Sequence, residues 1–60
     1  MKKLIYKIRF DLGFLYPYVV YNFLEGTTMV DDFPEHVEHI EFFKTEQEAK
    51  DFILIEKLAA

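Results

Sequence analysis

The sequence predicts an α+β fold: a small antiparallel β-sheet, made of a hairpin plus one or two short strands, with one C-terminal α-helix. Three patterns support it: apolar and charged residues alternate near the start, residues 18–24 are β-branched and aromatic, and a capping box begins at Thr45. We find no repeat, low-complexity tract or linker. Residues 1–60 are therefore predicted to fold as a single domain.

The first two predicted strands form the hairpin. In the first, from Lys3 to Phe10, the apolar face carries Leu4, Tyr6, Ile8 and Phe10, and most of the charge lies on the other face. Asp11 and Gly13 favour a turn, and Pro17 can be the first residue of the strand that follows, where its missing N–H costs little. The second strand, Tyr18 to Leu24, is apolar on both faces, which predicts a central strand that is covered on both sides.

The middle of the chain leaves two interpretations open. Glu25 and Gly26 favour a turn, and residues 27–30 suggest a short returning strand. Residues 32–44 fit a helix, because Phe33, Val37 and Ile40 share a helical face, but the run from Ile40 leads directly into the Thr45 cap. We favour a strand over about residues 38–44.

A helix is predicted to begin at Thr45, whose hydroxyl can accept from the Glu48 N–H while the Glu48 carboxylate reaches back to the Thr45 N–H. The segment that follows supplies a helical apolar face and an i,i+4 ion pair, from Ala49, Phe52 and Ile53 and from Glu46 with Lys50. A buried strand over residues 52–55 is the alternative.

The size and composition of the chain predict a homodimer. A sixty-residue domain buries only about 60% of the surface that its unfolded chain exposes, and such domains usually need a disulfide, a metal or a partner. This chain has no cysteine, yet 52% of its residues are hydrophobic. The helix also has more apolar residues than one face needs, so we expect dimer contacts from Phe52, Ile55 and Leu58.

The sequence does not predict an enzyme. It has neither serine nor cysteine, and its two glycines cannot build a phosphate-binding loop. Thr45 is already used as a cap. We expect no cofactor and no catalytic residue.

His36 and His39 are the only ligand-type residues with a suggestive spacing, since two histidines three apart can share a metal on a helix or a turn. A complete site would need further ligands from nearby acids. We therefore expect a solvated polar stretch and no metal.

The charge distribution points to a macromolecular partner. Four of the seven basic residues lie within the first nine, whereas residues 25–43 contain acids without a basic residue. Such an acidic segment can dock on a basic surface and raise the association rate. The predicted partner-binding residues are four of these acids and two tyrosines: Asp31, Asp32, Glu35, Glu38, Tyr16 and Tyr18.

The strand-into-helix segment Phe42-Phe43-Lys44-Thr45-Glu46-Gln47-Glu48-Ala49-Lys50-Asp51-Phe52-Ile53 is similar to the ending of many short bacterial and phage reading frames. Together with its size, its acidity and its lack of cysteine, the chain resembles small phage-encoded anti-defence inhibitors, including the anti-Hachiman type. That resemblance implies stoichiometric binding and inhibition of a host protein. A structural or regulatory subunit of a larger phage or bacterial complex is the alternative.

A single-stranded nucleic-acid binder is a second alternative, because basic residues and tyrosines share the hairpin, but the net charge of −4 opposes phosphate binding.

The N-terminus lacks the apolar core of a secretory signal, and the run from Leu12 to Leu24 is interrupted by Pro17. We therefore expect a cytoplasmic protein that does not enter a membrane.

Overall fold

A three-stranded antiparallel sheet, a small second hairpin and one helix make up residues 2–59, which the computed structural model describes. The elements follow in the order β1 (Leu4–Phe10), β2 (Tyr18–Leu24), β3 (Met29–Val30), β4 (Phe33–Pro34), β5 (His39–Phe43) and α1 (Glu46–Ala59). The larger sheet has the order β1-β2-β5, and β3 pairs with β4. The predicted α+β fold is confirmed.

The central strand is β2, as its two apolar faces predict. It pairs antiparallel with β1 on one side and with β5 on the other. Val20 and Phe23 are both buried, and because side chains alternate along a strand they enter the core from opposite faces of the sheet. The core of this domain is therefore two thin layers with β2 between them.

The helix α1 covers the Val20 face of β2 and β5. The Phe52 ring lies 5.3 Å from that of Phe43 and 6.4 Å from that of His39, and both of these residues share the Val20 face. Ala49 is completely buried, so a larger side chain there would push the helix away from its neighbours.

The hairpin β3–β4 covers the other face, where the Phe33 ring lies 4.8 Å from that of Tyr21. Its two turn residues, Asp31 and Asp32, have φ values of 51° and 63°, as the tight turns of two-residue hairpins require. The expected returning strand at 27–30 is thus shorter, and its partner is β4. A continuation of the β2 hairpin is prevented because β1 and β5 already pair with both edges of β2.

Residues 39–43 form strand β5, so the helical interpretation of 32–44 is wrong. The helix that follows begins as predicted, and Thr45 Oγ1 accepts from the Glu48 N–H at 3.2 Å. The capping box differs from the predicted one in one bond. The Glu48 carboxylate accepts from the Thr45 hydroxyl at 3.1 Å, whereas the prediction had the Thr45 N–H as the donor. The expected Glu46–Lys50 pair is present at 3.6 Å.

The molecule is thin, with extents of 34 × 29 × 12 Å. Its accessible surface is 4805 Å², against roughly 4,100 Å² for a compact monomer of this mass. The extra surface follows from the architecture, since one helix and one short hairpin do not cover both faces of a three-stranded sheet. Several large apolar side chains are therefore left exposed.

Candidate protein-interaction surfaces

The loop between β1 and β2 is apolar and exposed. Leu12 is 86% exposed and Leu15 is 78% exposed, and Phe14 lies between them. Loops normally carry polar residues because they face water, and single exposed apolar residues need no explanation, but a contiguous group marks a binding site. We call the exposed apolar residues of this loop, together with Phe42 of β5 beside it, the loop patch: Leu12, Phe14, Leu15, Tyr16 and Phe42.

The base of this loop is held in place by the sheet. The Asp11 N–H donates to the Pro17 carbonyl at 2.8 Å, so the β1–β2 ladder continues one pair beyond the strands. Gly13 has a φ of 101°, a conformation that L side chains rarely adopt, and it allows the chain to turn there. The Lys44 Nζ lies 5.5 Å from the centre of the Tyr16 ring, which attaches the end of the loop to the segment between β5 and α1.

Part of the loop patch forms an open groove of about 460 Å³. Its lining consists of Phe14, Leu15, Tyr16, Glu41 and Phe42. Four of these five residues are apolar or aromatic, and Glu41 supplies one carboxylate at the side. An apolar side chain of another protein can enter such a groove and lose contact with water on most sides.

A second apolar surface lies on the outer side of α1. Leu54, Ile55 and Leu58 are exposed, and Leu58 reaches 77%. We call these three residues the helix stripe. Of the residues predicted to form a dimer contact, Ile55 and Leu58 belong to this stripe, whereas Phe52 is half-buried against Phe43 of the same chain.

The predicted partner-binding residues are divided between separate places. Tyr16 precedes β2 and belongs to the loop patch, and Tyr18 packs on Phe10 with a ring distance of 5.0 Å. Glu38 lies towards the other end of β2, where its N–H donates to the Asn22 carbonyl at 2.9 Å. The fold therefore does not bring the tyrosines and Glu38 together.

The remaining acids belong to the small hairpin. Asp31 and Asp32 form its turn, and Glu35 closes its open end by donating its N–H to the Thr28 carbonyl at 2.8 Å. The two aspartates thus have a structural role that the sequence interpretation missed. A signal was present, because aspartate is one of the few residues that tolerate a positive φ, and the pair stands between apolar residues.

Each histidine contacts an acid two residues further along the chain. His36 Nε2 lies 3.6 Å from a carboxylate oxygen of Glu38, and His39 Nε2 lies 2.9 Å from one of Glu41. Within residues 2–59, no three His, Cys, Asp or Glu side chains are grouped so that they could hold a metal ion.

The tyrosines do not form one stacking surface. Tyr6 and Tyr18 lie on the helix side of the sheet, since they are in register with Asn22 and Phe43. Tyr21 lies on the opposite side, packed against Phe33. Bases that stack on a sheet need aromatic rings on a single open face, so this arrangement does not favour the nucleic-acid alternative.

The loop patch is the surface that the sequence interpretation missed most clearly. The sequence analysis predicts a turn from Asp11 and Gly13 and assigns no role to Leu12, Phe14 and Leu15, although three large apolar residues in so short a connection are unusual. That excess over a normal turn composition was the available signal. Phe42 gave no signal, because a strand aromatic is ordinarily part of the core.

No helix in residues 2–59 is both long enough and apolar enough to cross a membrane. Comparisons with protein-family models, with curated proteins and with solved structures find no match to this chain.

Proposed function

We propose that this chain is a protein-binding module, and that it acts as a stoichiometric inhibitor of a host protein, as its resemblance to phage anti-defence inhibitors implies. The observation that carries the proposal is the loop patch, five large apolar side chains exposed at one end of the sheet. A monomeric protein seldom exposes such a group unless another macromolecule covers it.

The energetics of the loop patch suit a protein partner. Burial of one large apolar side chain contributes about 1.5–3 kcal/mol, and all of these side chains except Phe42 stand on a loop whose base is fixed by the Asp11–Pro17 hydrogen bond. A fixed base reduces the ordering entropy that association must offset. Aromatic residues next to an open groove are also the usual centre of a binding hot spot.

The acidic segment has a supporting role in this proposal. Asp31, Asp32, Glu35 and Glu38 all lie outside the loop patch, and each is exposed. Exposed acids at a distance from the contact surface act mainly on the rate of association with a basic partner and less on the lifetime of the complex.

The helix stripe is the surface that we assign to self-association. Leu54, Ile55 and Leu58 lie on the last turns of α1, away from the sheet, so a two-fold axis can bring the same residues of two copies together. Phe52 supports this contact from within the chain by fixing α1 on β5. The loop patch and the helix stripe are separate, so a dimer can present two loop patches.

Leu12→Asp combined with Leu15→Asp is expected to weaken partner binding by at least about 100-fold, because two charges would be desolvated at the contact. The matched control is Met29→Asp with Val30→Asp, which adds the same charge at exposed apolar residues outside the loop patch. The measurement is quantitative co-purification from a bacterial lysate, with a photo-crosslinker at Phe14 to identify the captured protein.

The captured protein distinguishes the functions. A defence nuclease or helicase that is crosslinked at Phe14 and lost only from the Leu12 and Leu15 variant supports the inhibitor. A phage structural protein supports the alternative, a subunit of a larger complex. Equal loss from both variants, or no loss from either, contradicts a binding role for the loop patch.

A further inference from the structure

The outer edge of β1 is an unpaired strand edge within residues 2–59, since the sheet order places β1 last. Two hydrogen bonds fix which groups point outward: the Glu25 N–H donates to the Lys3 carbonyl, and the Asp11 N–H donates to the Pro17 carbonyl. The backbone groups of Lys3 and Asp11 thus point towards β2. Because the direction of these groups alternates along a strand, those of the odd-numbered residues between Lys3 and Asp11 also point towards β2. The backbone groups of the even-numbered residues point outward: Leu4, Tyr6, Ile8 and Phe10.

The side chains on this edge have two different characters. The four outward-bonding residues carry apolar side chains on the helix side, and Leu4 and Phe10 are exposed because α1 lies over β2 and β5. At the start of the strand, an open groove of about 400 Å³ has an apolar floor of Leu4 and Tyr6. Three lysines complete its lining: Lys2, Lys3 and Lys57.

Positive charge surrounds the same edge. Five of the seven basic residues of the chain lie on or beside β1: Lys2, Lys3, Lys7, Arg9 and Lys57. The residues of β2 in register with Lys7 and Arg9 are Tyr21 and Val19, so β2 offers them no carboxylate. Arg9 approaches Asp11 at 3.9 Å. The edge is therefore cationic in a protein whose net charge is −4.

We propose that the β1 edge binds an extended segment of a partner protein in which apolar and acidic residues alternate. The added strand would exchange backbone hydrogen bonds with Leu4, Tyr6, Ile8 and Phe10. Its apolar side chains would extend the covered face beside α1, and its acidic side chains would lie opposite Lys7 and Arg9. This surface is separate from the loop patch and does not depend on the function proposed for it.

A second copy of the chain fits this edge poorly. If two β1 strands pair antiparallel through their outward groups, the central register places Lys7 opposite the Lys7 of the other copy. A shift by one hydrogen-bonded pair in either direction places Arg9 opposite Lys3 or Lys7. Like charges directly opposite one another destabilise a strand pair, so the cations oppose self-pairing and favour an acidic partner.

Amide hydrogen exchange on the isotopically labelled full chain tests the proposal. In the free protein, the amides of Leu4, Tyr6, Ile8 and Phe10 should exchange quickly and those of Ile5, Lys7 and Arg9 slowly. The probe is a blocked peptide of seven residues, the length of β1, which alternates valine and glutamate. Its addition should slow the four fast amides. A valine and lysine peptide of equal length should have no effect.

Two variants test separately how the backbone hydrogen bonds and the positive charges contribute to peptide binding. Ile8→Pro removes an outward N–H but no β1–β2 bond, so it should prevent peptide binding in a folded protein. Lys7→Glu with Arg9→Glu should weaken the glutamate peptide about tenfold, since two favourable cross-strand pairs become repulsive. Lys50→Glu, on α1, is the charge control and should leave the affinity unchanged.

Four outcomes would overturn the proposal. The first is the absence of slowed exchange at the four amides with the glutamate peptide. The second is equal binding of the lysine peptide. The third is protection of the four amides in the free protein at a mass of two chains, which would assign the edge to a second copy. The fourth is tighter binding of an oligothymidylate at the same amides, which would assign it to nucleic acid.

Discussion

Truncation of Phe23 to alanine is expected to unfold most of the protein at room temperature. Phe23 is 5% exposed on the central strand, on the same face as Tyr21, and its loss removes one of the few buried apolar side chains among residues 2–59. A buried phenylalanine truncated to alanine costs about 3–5 kcal/mol. A domain of this length has a total stability of about 3–9 kcal/mol at 0.05–0.15 kcal/mol per residue. Because so few apolar side chains are buried among residues 2–59, we expect the lower half of that range, and little or none would then remain.

The sheet provides a matched control for this variant. Phe42 lies on the same face as Phe23, one strand away, but is 59% exposed. Phe42→Ala is therefore expected to cost less than about 1 kcal/mol, because little of the ring leaves water on folding. Urea denaturation followed by circular dichroism measures both. Equal loss of stability in the two variants would show that Phe23 is not the core residue of this face.

Asn22→Leu is expected to stabilise the protein by about 1–3 kcal/mol. Asn22 is 5% exposed on the helix side of β2, and within residues 2–59 its side-chain oxygen accepts no hydrogen bond. A buried carbonyl oxygen without a donor retains its full desolvation penalty, and leucine has nearly the same shape without that penalty. For a domain of this size each kcal/mol raises the melting temperature by about 4–8 °C.

The control for Asn22 is its neighbour on β5. His39 is in register with Asn22 on the same face, but about half of its side chain is exposed and its ring nitrogen contacts Glu41 at 2.9 Å. His39→Leu relieves no buried, unpartnered group and is expected to leave the melting temperature within a few degrees, about 0.5 kcal/mol. If Asn22→Leu lowered the melting temperature, the amide would be making a stabilising contact in solution.

The elements that were predicted correctly from the sequence are those whose signals come from residues close together in the chain. The alternation in β1, the two apolar faces of β2 and the Thr45 capping box are all local patterns, and each element lies within two residues of its expected position. The strand predicted before Thr45 also depends on a local signal, because the run from Ile40 leads directly into the helix cap.

The features that the sequence did not predict depend on distant contacts. The pairing of β3 with β4 required knowledge that β1 and β5 already occupy both edges of β2. The burial of Asn22 depends on where α1 crosses the sheet, and a polar residue in a strand pattern does not show whether it is covered. Composition showed that apolar surface was in excess, but only the path of α1 shows that Phe52 faces inward and Leu58 outward.

One copy of the chain cannot cover all of its apolar surface, and the mass of the protein in solution tests this most directly. Sedimentation equilibrium at micromolar concentration should give twice the 7.2 kDa chain mass. Ile55→Lys with Leu58→Lys should reduce it to one chain, because two cations on the helix stripe would be desolvated. A wild-type protein that sediments as a cooperatively folded monomer would show that the helix stripe needs no second copy to cover it.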